Sequence, residues 1–265
     1  MFDIPLFKRR IAIEETKINL VSDIDTNNIK NKRENLEDFI IHQRNLLKKY
    51  IKNYPLFAKT LSPYNIKKSE KTSPTPKIID LMIKASKIAN VGPTATLAGT
   101  ISELSLDYLI KNNSNYSIID NGGDISFLNN YSEKEVIFGI YAGNSPLSGK
   151  IGFKFKFRKK NQKFGVCSSS ASVGYSISYG RSDCVTVIAN QASVADGLAT
   201  SIANNVNGKL DKDAVENGLF AAEEFRKHFI GALIIVGESI GTIGKLPKII
   251  ETQNTEIKTN FKNNY

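Results

Sequence analysis

The hydrophobic spacing of the chain changes from helical to strand-like at about residue 113, and this change restricts the fold more than any other feature. Before it, apolar residues recur at helical spacing in 34–53, 77–90 and 94–112. After it, short apolar runs alternate with turns, and the segment "IGFKFKF" at 151–157 alternates apolar residues with lysines. Helices and strands therefore occur in blocks, which predicts an α+β sheet domain.

The later part of the chain predicts the elements that close this domain. Cys184 to Ala189 is typical of a buried strand, and the small-residue segment "SVADGLATSIANNV" that follows is typical of a helix. A second helix around 211–228 and a strand at 232–236 complete the pattern. We expect one domain over residues 1–250, with a strand and helix lead-in over about 1–76 and a polar tail over 251–265.

The composition favours a folded protein with a basic surface. Lys and Arg outnumber Asp and Glu by 36 to 26, which gives a net charge of +10 and suits anionic small molecules. There is no Trp and no Arg-rich arm with aromatic residues, so nucleic acid is not the expected partner. The longest apolar run is too short to cross a bilayer, and no secretory signal is visible, so we expect a cytoplasmic protein that does not bind membranes.

The segment "DNGGD", Asp120 to Asp124, lies between two strand-like runs and has two interpretations. Asn-Gly between apolar runs predicts a tight hairpin turn, because both residues tolerate positive φ. Alternatively, paired glycines let backbone N–H groups approach a ligand, while Asp124 accepts a hydrogen bond from it.

The segment "SVADGLATS", Ser193 to Ser201, also has two interpretations. Asp196 and Thr200 are four residues apart, so on a helix both oxygens lie on one face and could bind Mg²⁺. Ser193 with Asp196 alternatively resembles a capping box that only holds the helix N-terminus. The small residues between them indicate that another element or a ligand approaches this helix closely.

The segment "VCSSSASVGYSISYG" at 166–180 places six serines between two predicted strands, which favours the lining of a site over a linker. No histidine occurs between residues 43 and 227, so no local base could activate Ser168, Ser169 or Ser170 as a nucleophile. These hydroxyls are better suited to binding. Cys167 could be a reactive thiol, but its position at the end of an apolar run favours a buried one.

Taken together, five segments resemble a family of uncharacterised cytosolic proteins related to ApbE, the FAD:protein FMN transferase. The resemblance covers most of residues 11–245 and is carried by "VGPTATLAGTISE" (91–103), "IIDNGGDISF" (118–127), "IYAGNSPLSGKIG" (140–152), "GVCSSSASVGYSISYGRSD" (165–183) and "VTVIANQASVADGLATSIAN" (185–204). It implies an ApbE-like domain with mixed or antiparallel sheets packed with helices. It also implies binding of FAD, a nucleotide, with Mg²⁺, and FMN transferase-type chemistry.

The resemblance assigns roles to residues of three segments. The "GGD" of the transferases falls on Gly122, Gly123 and Asp124, and the "ADxxxT" of their metal helix falls on Ala195, Asp196 and Thr200. It therefore implies a metal site at Asp196 and Thr200. The residues that it implies for cofactor binding are Asn121, Gly122, Gly123, Asp124, Ser168, Ser169 and Ser170. No catalytic residue is assigned.

The chain departs from the transferases where they carry a His-x-x-Asp-Pro segment after the serine stretch. Here "GYSISYGRSD" contains neither a histidine nor Asp-Pro, Tyr175 stands where histidine is common, and Ala171 replaces a glycine. The flavin ligand could thus be retained while the reaction has changed. The alternative that the resemblance implies is an accessory protein in sulfide assimilation or homocysteine formation, with a protein partner or a second copy of itself.

Overall fold

Six α-helices and eleven strands make up the described part of the chain. The structure is a computed structural model that describes residues 4–27, 35–66, 74–131, 134–157, 160–171 and 179–252. The α-helices are α1 (Leu36–Asn53), α2 (Leu56–Lys59), α3 (Lys77–Ala89), α4 (Leu97–Lys111), α5 (Ala192–Asn204) and α6 (Asp211–Glu223). The strands are β1 (Phe7–Ile13), β2 (Thr16–Ser22), β3 (Tyr116–Asn121), β4 (Asp124–Asn129), β5 (Val136–Gly139), β6 (Ile151–Phe155), β7 (Lys163–Ser169), β8 (Cys184–Ala189), β9 (Gly231–Val236), β10 (Ser239–Gly244) and β11 (Lys248–Glu251).

The strands form two sheets, and the predicted α+β fold is confirmed. The large sheet has the order β1-β2-β3-β4-β7-β8-β9-β10, and the small sheet has the order β11-β6-β5. All of these pairings are antiparallel. The sequence predicted neither β10 nor β11. Strand β11 has only four residues, and β10 carries two glycines, which weaken a strand pattern.

The large sheet lies between helices and the small sheet. On one face, α4 packs against β3 and β4, α5 against β7 and β8, and α6 against β9 and β10. On the other face, the fully buried Phe127 of β4 meets Phe155 of β6 with ring centroids 5.0 Å apart. Period-two alternation explains the arrangement, because each central strand directs one set of apolar side chains to the helices and the other set to the small sheet.

The helix boundaries follow local sequence signals. Asn35 caps α1 by accepting a hydrogen bond from the Asp38 backbone N–H at 2.9 Å, and Asp38 completes a capping box. Helix α3 ends at Asn90, which has a φ of 54°. None of the helices in the described ranges combines the length and the apolar character needed to cross a bilayer.

The described chain ends in a strand rather than in a loop. Strand β11 includes Glu251, and the buried Thr252 donates its Oγ1 proton to the Gly149 carbonyl at 2.9 Å. Packed structure therefore continues past residue 251, where the sequence predicted the start of the tail. The remainder of the predicted tail, 253–265, lies outside the described residues.

Candidate functional site

The candidate site lies at one end of the large sheet, where four strands begin or end. Strands β3 and β4 join there through Gly122 and Gly123, β7 ends at Ser169 and β8 begins at Cys184. The antiparallel register of β4 with β7, and of β7 with β8, places these ends side by side. Because side chains alternate along a strand, consecutive residues here point to opposite faces of the sheet. The site therefore has two sides.

The turn between β3 and β4 is built from its two glycines. Gly122 has a φ of 70° and Gly123 a φ of 100°, which only glycine adopts at low cost. The Gly123 N–H donates to Asp120 Oδ1 at 2.8 Å and closes the turn. The predicted turn is confirmed, but Asn121 remains in β3 and the glycines hold the positive angles. A Cβ atom at either glycine would meet no atom within 4 Å, so the space beside this backbone is open.

A cavity of about 190 Å³ lies on the side of the site that faces the small sheet. The side chains that the described residues contribute to its wall are apolar apart from hydroxyl and thiol groups, and none of them is charged. The lining residues are Gly122, Gly123, Ile125, Phe138, Gly139, Ile140, Tyr141, Phe153, Val166, Ser168, Ser169, Ser170, Cys184 and Thr186. Pockets for drug-sized ligands span about 300–1,000 Å³. This cavity can therefore enclose one neutral ring system rather than an entire dinucleotide.

The serine tract supplies the polar part of this wall. The Ser168 and Thr186 hydroxyl oxygens lie 2.9 Å apart, and the Cys184 Sγ lies 3.3 Å from the Thr186 hydroxyl. The structure places Ser168, Ser169 and Ser170 in the same lining as Gly122 and Gly123. The first part of the tract therefore belongs to strand β7, which ends at Ser169. Its part from 172 to 178, which includes Tyr175, lies outside the described residues.

Two carboxylates meet on the helix-covered side of the site. Burial raises the pKa of Asp124 well above its ordinary value, and the neighbouring Asp196 raises it further. The nearby Cys167 thiol and Ser168 backbone N–H oppose this rise. The Asp124 Oδ1 is shielded from solvent and has no hydrogen-bond partner among the described residues. The pair therefore holds less negative charge at neutral pH than two free carboxylates would.

Asp196 is held in place by helix α4. Its Oδ2 accepts a hydrogen bond from the Gly99 backbone N–H at 2.8 Å, near the N-terminus of α4. Burial raises the pKa of Asp196 to about 7, although the Gly99 N–H lowers it. Thr200 lies one turn further along α5 and is partly buried, like Asp196. The two residues are on one helix face, as their spacing predicted.

The alternative interpretation of Ser193 and Asp196 as a capping box is wrong. The N-cap of α5 is Gln191, whose side chain makes no capping bond. Instead, the buried Glu103 of α4 accepts hydrogen bonds from the Ser193 backbone N–H at 3.1 Å and from the Ser193 hydroxyl at 2.7 Å. A carboxylate from another helix therefore takes the capping role, and Asp196 is left to face Asp124.

Asn121 is engaged by backbone groups on the helix-covered side. Its Oδ1 accepts from the Lys17 N–H at 3.2 Å, and its Nδ2 donates to the Ala98 carbonyl at 3.3 Å. The predicted cofactor-binding set is thus divided between two sides of the strand ends. The glycines and serines line the cavity, whereas Asn121 and Asp124 lie near α4 and α5.

Cys167 is a buried thiol, as predicted from its position in an apolar run. Its Sγ donates to the Ala192 carbonyl at 3.3 Å. Burial, followed by the charges of Asp124 and Asp196, raises the pKa of this thiol well above its ordinary value. A thiolate nucleophile is therefore disfavoured at this position.

Sequence reasoning missed Glu103 and Thr186. Glu103 is followed by Leu104, Leu106 and Leu109 in the amphipathic helix α4, and a carboxylate among such residues is a signal that a buried partner exists. Thr186 is the one hydroxyl residue of the apolar strand β8. No group of three His, Cys, Asp or Glu side chains suited to a metal ion occurs in the described ranges, so a cation here would take its further ligands from elsewhere.

Comparisons with known proteins fit this architecture. A mutant form of the flavin transferase ApbE from Vibrio cholerae superposes with a TM-score of 0.53 at 11% identity, over 95% of this chain and 99% of that chain. The UPF0280 protein of Methanothermobacter thermautotrophicus is 45% identical over 248 residues, which cover 94% of this chain and 90% of the relative. The UPF0280 protein of Methanobrevibacter smithii is 44% identical over 250 residues, which cover 94% and 98%. A family profile described as "AbpE bacteria" matches residues 5–238, and the chain therefore belongs to that family.

Proposed function

We propose that the chain binds a flavin nucleotide such as FAD, together with Mg²⁺, at this end of the large sheet. The observation that carries the proposal is the presence of a ring-sized cavity and a partly buried pair of carboxylates on the two sides of the same strand ends. The fold shared with a flavin transferase and the membership of the family support it. The parts of the ligand would be divided between the two sides of the strand ends.

The carboxylate pair fits a divalent cation. Two neighbouring acids whose pKa values are raised by burial are easier to ionise when a cation replaces their protons. Mg²⁺ is usually bound by one or two carboxylates, with waters and ligand phosphates completing its octahedron. Asp196 and Thr200 would hold the ion, and the Oδ1 of Asp124, which has no hydrogen-bond partner in the described ranges, would face it. When bound, the ion would neutralise phosphate charge.

The cavity fits the ring of the ligand. Its aromatic and aliphatic wall favours a planar apolar surface, and the Ser168 and Thr186 hydroxyls offer hydrogen bonds to ring heteroatoms. The open space beside Gly122 and Gly123 lets a ligand approach the backbone where the two sides meet. These residues would bind and orient the ligand.

Transfer of FMN to a protein is a more specific proposal than binding of a flavin nucleotide. It rests on the resemblance to ApbE, and the chain carries no His-x-x-Asp-Pro segment after its serine stretch. The accessory role in sulfide assimilation also stays a prediction from the resemblance, because no described contact bears on it. Binding of the flavin nucleotide is therefore the function to test first.

The test is the melting temperature of the purified chain with FAD, with Mg²⁺ and with both. We expect FAD to raise the melting temperature and Mg²⁺ to add a further increment, because a ligand at about 100 times its Kd contributes about 2.7 kcal/mol. Asp196→Asn should remove the Mg²⁺ increment and keep the response to FAD alone. A melting temperature that neither FAD nor the combination changes would refute the proposal.

Asp80→Asn is the matched control. Asp80 lies on the surface of α3 in an exposed ion pair with Lys84, and such pairs contribute little to stability. This variant loses the same charge as Asp196→Asn but should keep the full Mg²⁺ increment. If both variants lose the increment equally, Mg²⁺ acts through the net charge of the chain and not through the carboxylate pair.

A further inference from the structure

The two edges of the large sheet differ in how they are protected. The edge strand β1 carries three consecutive charged residues, Lys8, Arg9 and Arg10. The opposite edge strand, β10, has the sequence "SIGTIG" and carries no charge. Charged side chains are the usual means by which an edge strand avoids pairing with another chain. Edge β1 is therefore protected and edge β10 is not.

Strand β10 has a free backbone side. Among the described residues it pairs only with β9, so alternate residues of β10 direct their N–H and C=O groups away from the sheet. The side chain of Ile240 is 46% exposed at this edge. An uncharged edge with an exposed isoleucine is suited to accepting another strand.

Helix α6 covers part of the same edge. Val215 and Leu219 cover Gly241 of β10, because a Cβ atom on this glycine would lie 2.4 Å from Val215 Cγ1 and 3.0 Å from Leu219 Cδ1. At 100° per residue, the surface just outside these two residues carries Lys212, Glu216 and Glu223. The flank of α6 beside the open strand is therefore charged.

We propose that β10 and α6 form the interface of a symmetric homodimer, in which β10 pairs antiparallel with β10 of a second copy. A twofold axis makes the same surface meet itself, and antiparallel pairing of one strand with its own copy satisfies this condition. The axis is perpendicular to the sheet, so the two α6 helices lie side by side and antiparallel on the same face. The pairing joins two eight-stranded sheets into one.

The charges on α6 favour a second copy over an unrelated protein. On the outer surface of α6, Lys212 lies near the start of the helix and Glu223 lies at its end. Neither is in an ion pair with any described residue. When two such helices run antiparallel, Lys212 of one copy faces Glu223 of the other, twice per dimer.

The proposal is tested by sedimentation equilibrium of the full chain. The wild type should have about twice the mass of the 29.3 kDa chain. Ile240→Lys should shift the mass to that of one chain, and because this position is exposed, circular dichroism should show an unchanged fold. Leu61→Glu is the control, since Leu61 is 72% exposed outside this surface, and it should leave the dimer intact.

A charge exchange tests the antiparallel arrangement. Lys212→Glu alone should weaken the dimer at least tenfold at low salt, because it places like charges opposite each other, and the double variant with Glu223→Lys should restore it. A wild-type chain that remains a monomer at all concentrations would overturn the proposal. It would also be overturned by a dimer that Ile240→Lys leaves intact, or by a double variant as weak as Lys212→Glu.

Discussion

At the scale of single residues, the site depends on Glu103, which does not line it. This buried carboxylate accepts hydrogen bonds from the Ser193 N–H, the Ser193 hydroxyl and the Gln191 side chain, and so holds the first turn of α5 against α4. Asp196 follows one turn later and faces Asp124. Removal of Glu103 would leave the buried Ser193 N–H without an acceptor.

We predict that Glu103→Ala lowers the free energy of unfolding by about 2–4 kcal/mol, because a buried donor left unpaired costs about 1–3 kcal/mol and two donors are affected. Glu103→Gln keeps one acceptor oxygen and should cost less. Ser105→Ala is the control on the same helix. The Ser105 hydroxyl is buried and has no hydrogen-bond partner within the described part of the chain, so its removal should be neutral or stabilising. Urea unfolding measures all three, and equal losses for Glu103→Ala and Ser105→Ala would contradict the capping role.

The sequence could predict part of this arrangement. The spacing of Asp196 and Thr200 identified the helix face, since four residues make one turn. It could not show that Asp124, which is 72 residues earlier, lies opposite Asp196, because that contact depends on how α5 crosses β4 and β7. Nor could it decide between a cap and a ligand for Asp196. The structure decides this point, because Glu103 of α4 caps α5 and Asp196 does not.

At the scale of elements, the N-terminus of α5 is enclosed on two sides by glycines. A Cβ atom on Gly99 of α4 would lie 2.4 Å from the Ala192 carbonyl oxygen, and one on Gly165 of β7 would lie 2.4 Å from the Ala192 Cα. The small residues of α5 predicted such a close approach, and the structure confirms it. The sequence could not predict which elements make this approach, because a single glycine in α4 or β7 does not show which element packs against it.

We predict that Gly165→Ala lowers the free energy of unfolding by about 1–3 kcal/mol, since the added methyl group meets the backbone of α5 and that helix must shift. Because Asp196 moves with α5, the Mg²⁺ increment in melting temperature should also fall. Gly218→Ala in α6 is the control. The atoms nearest to its methyl group would be Val206 Cγ2 at 2.7 Å and Ile234 Cδ1 at 2.8 Å, which are side-chain and not backbone atoms, and the helix gains propensity from alanine. A Gly165→Ala variant as stable as Gly218→Ala would show that α5 is not held tightly.

At the scale of the whole molecule, the partly buried carboxylate pair couples folding to pH. The pKa of Asp196 is raised from 3.8 to about 7, and that of Asp124 is also raised. Between pH 4 and 7, the folded chain therefore holds a proton that the unfolded chain has released. The free energy of unfolding must then fall as pH rises, by at most about 1.4 kcal/mol per pH unit for each proton.

We predict that, without metal, the double variant Asp124→Asn with Asp196→Asn gains stability relative to the wild type as the pH rises from 5 to 8. Mg²⁺ should have the opposite dependence and stabilise the wild type more at pH 8 than at pH 6, because protons compete with the ion at low pH. Urea unfolding at four pH values, with and without Mg²⁺, measures both effects. Parallel pH profiles for the wild type and the double variant would show that the pair does not titrate as stated.

The alternation of side chains at the strand ends has a consequence for selectivity. A single molecule that used both the cavity and the carboxylates would have to bend around the rim of the sheet at Gly122 and Gly123. The thickness of one β-sheet would then set the distance between the ring of the ligand and its anionic groups. Compounds with a shorter or stiffer connection could reach one side only, whatever the quality of their individual contacts.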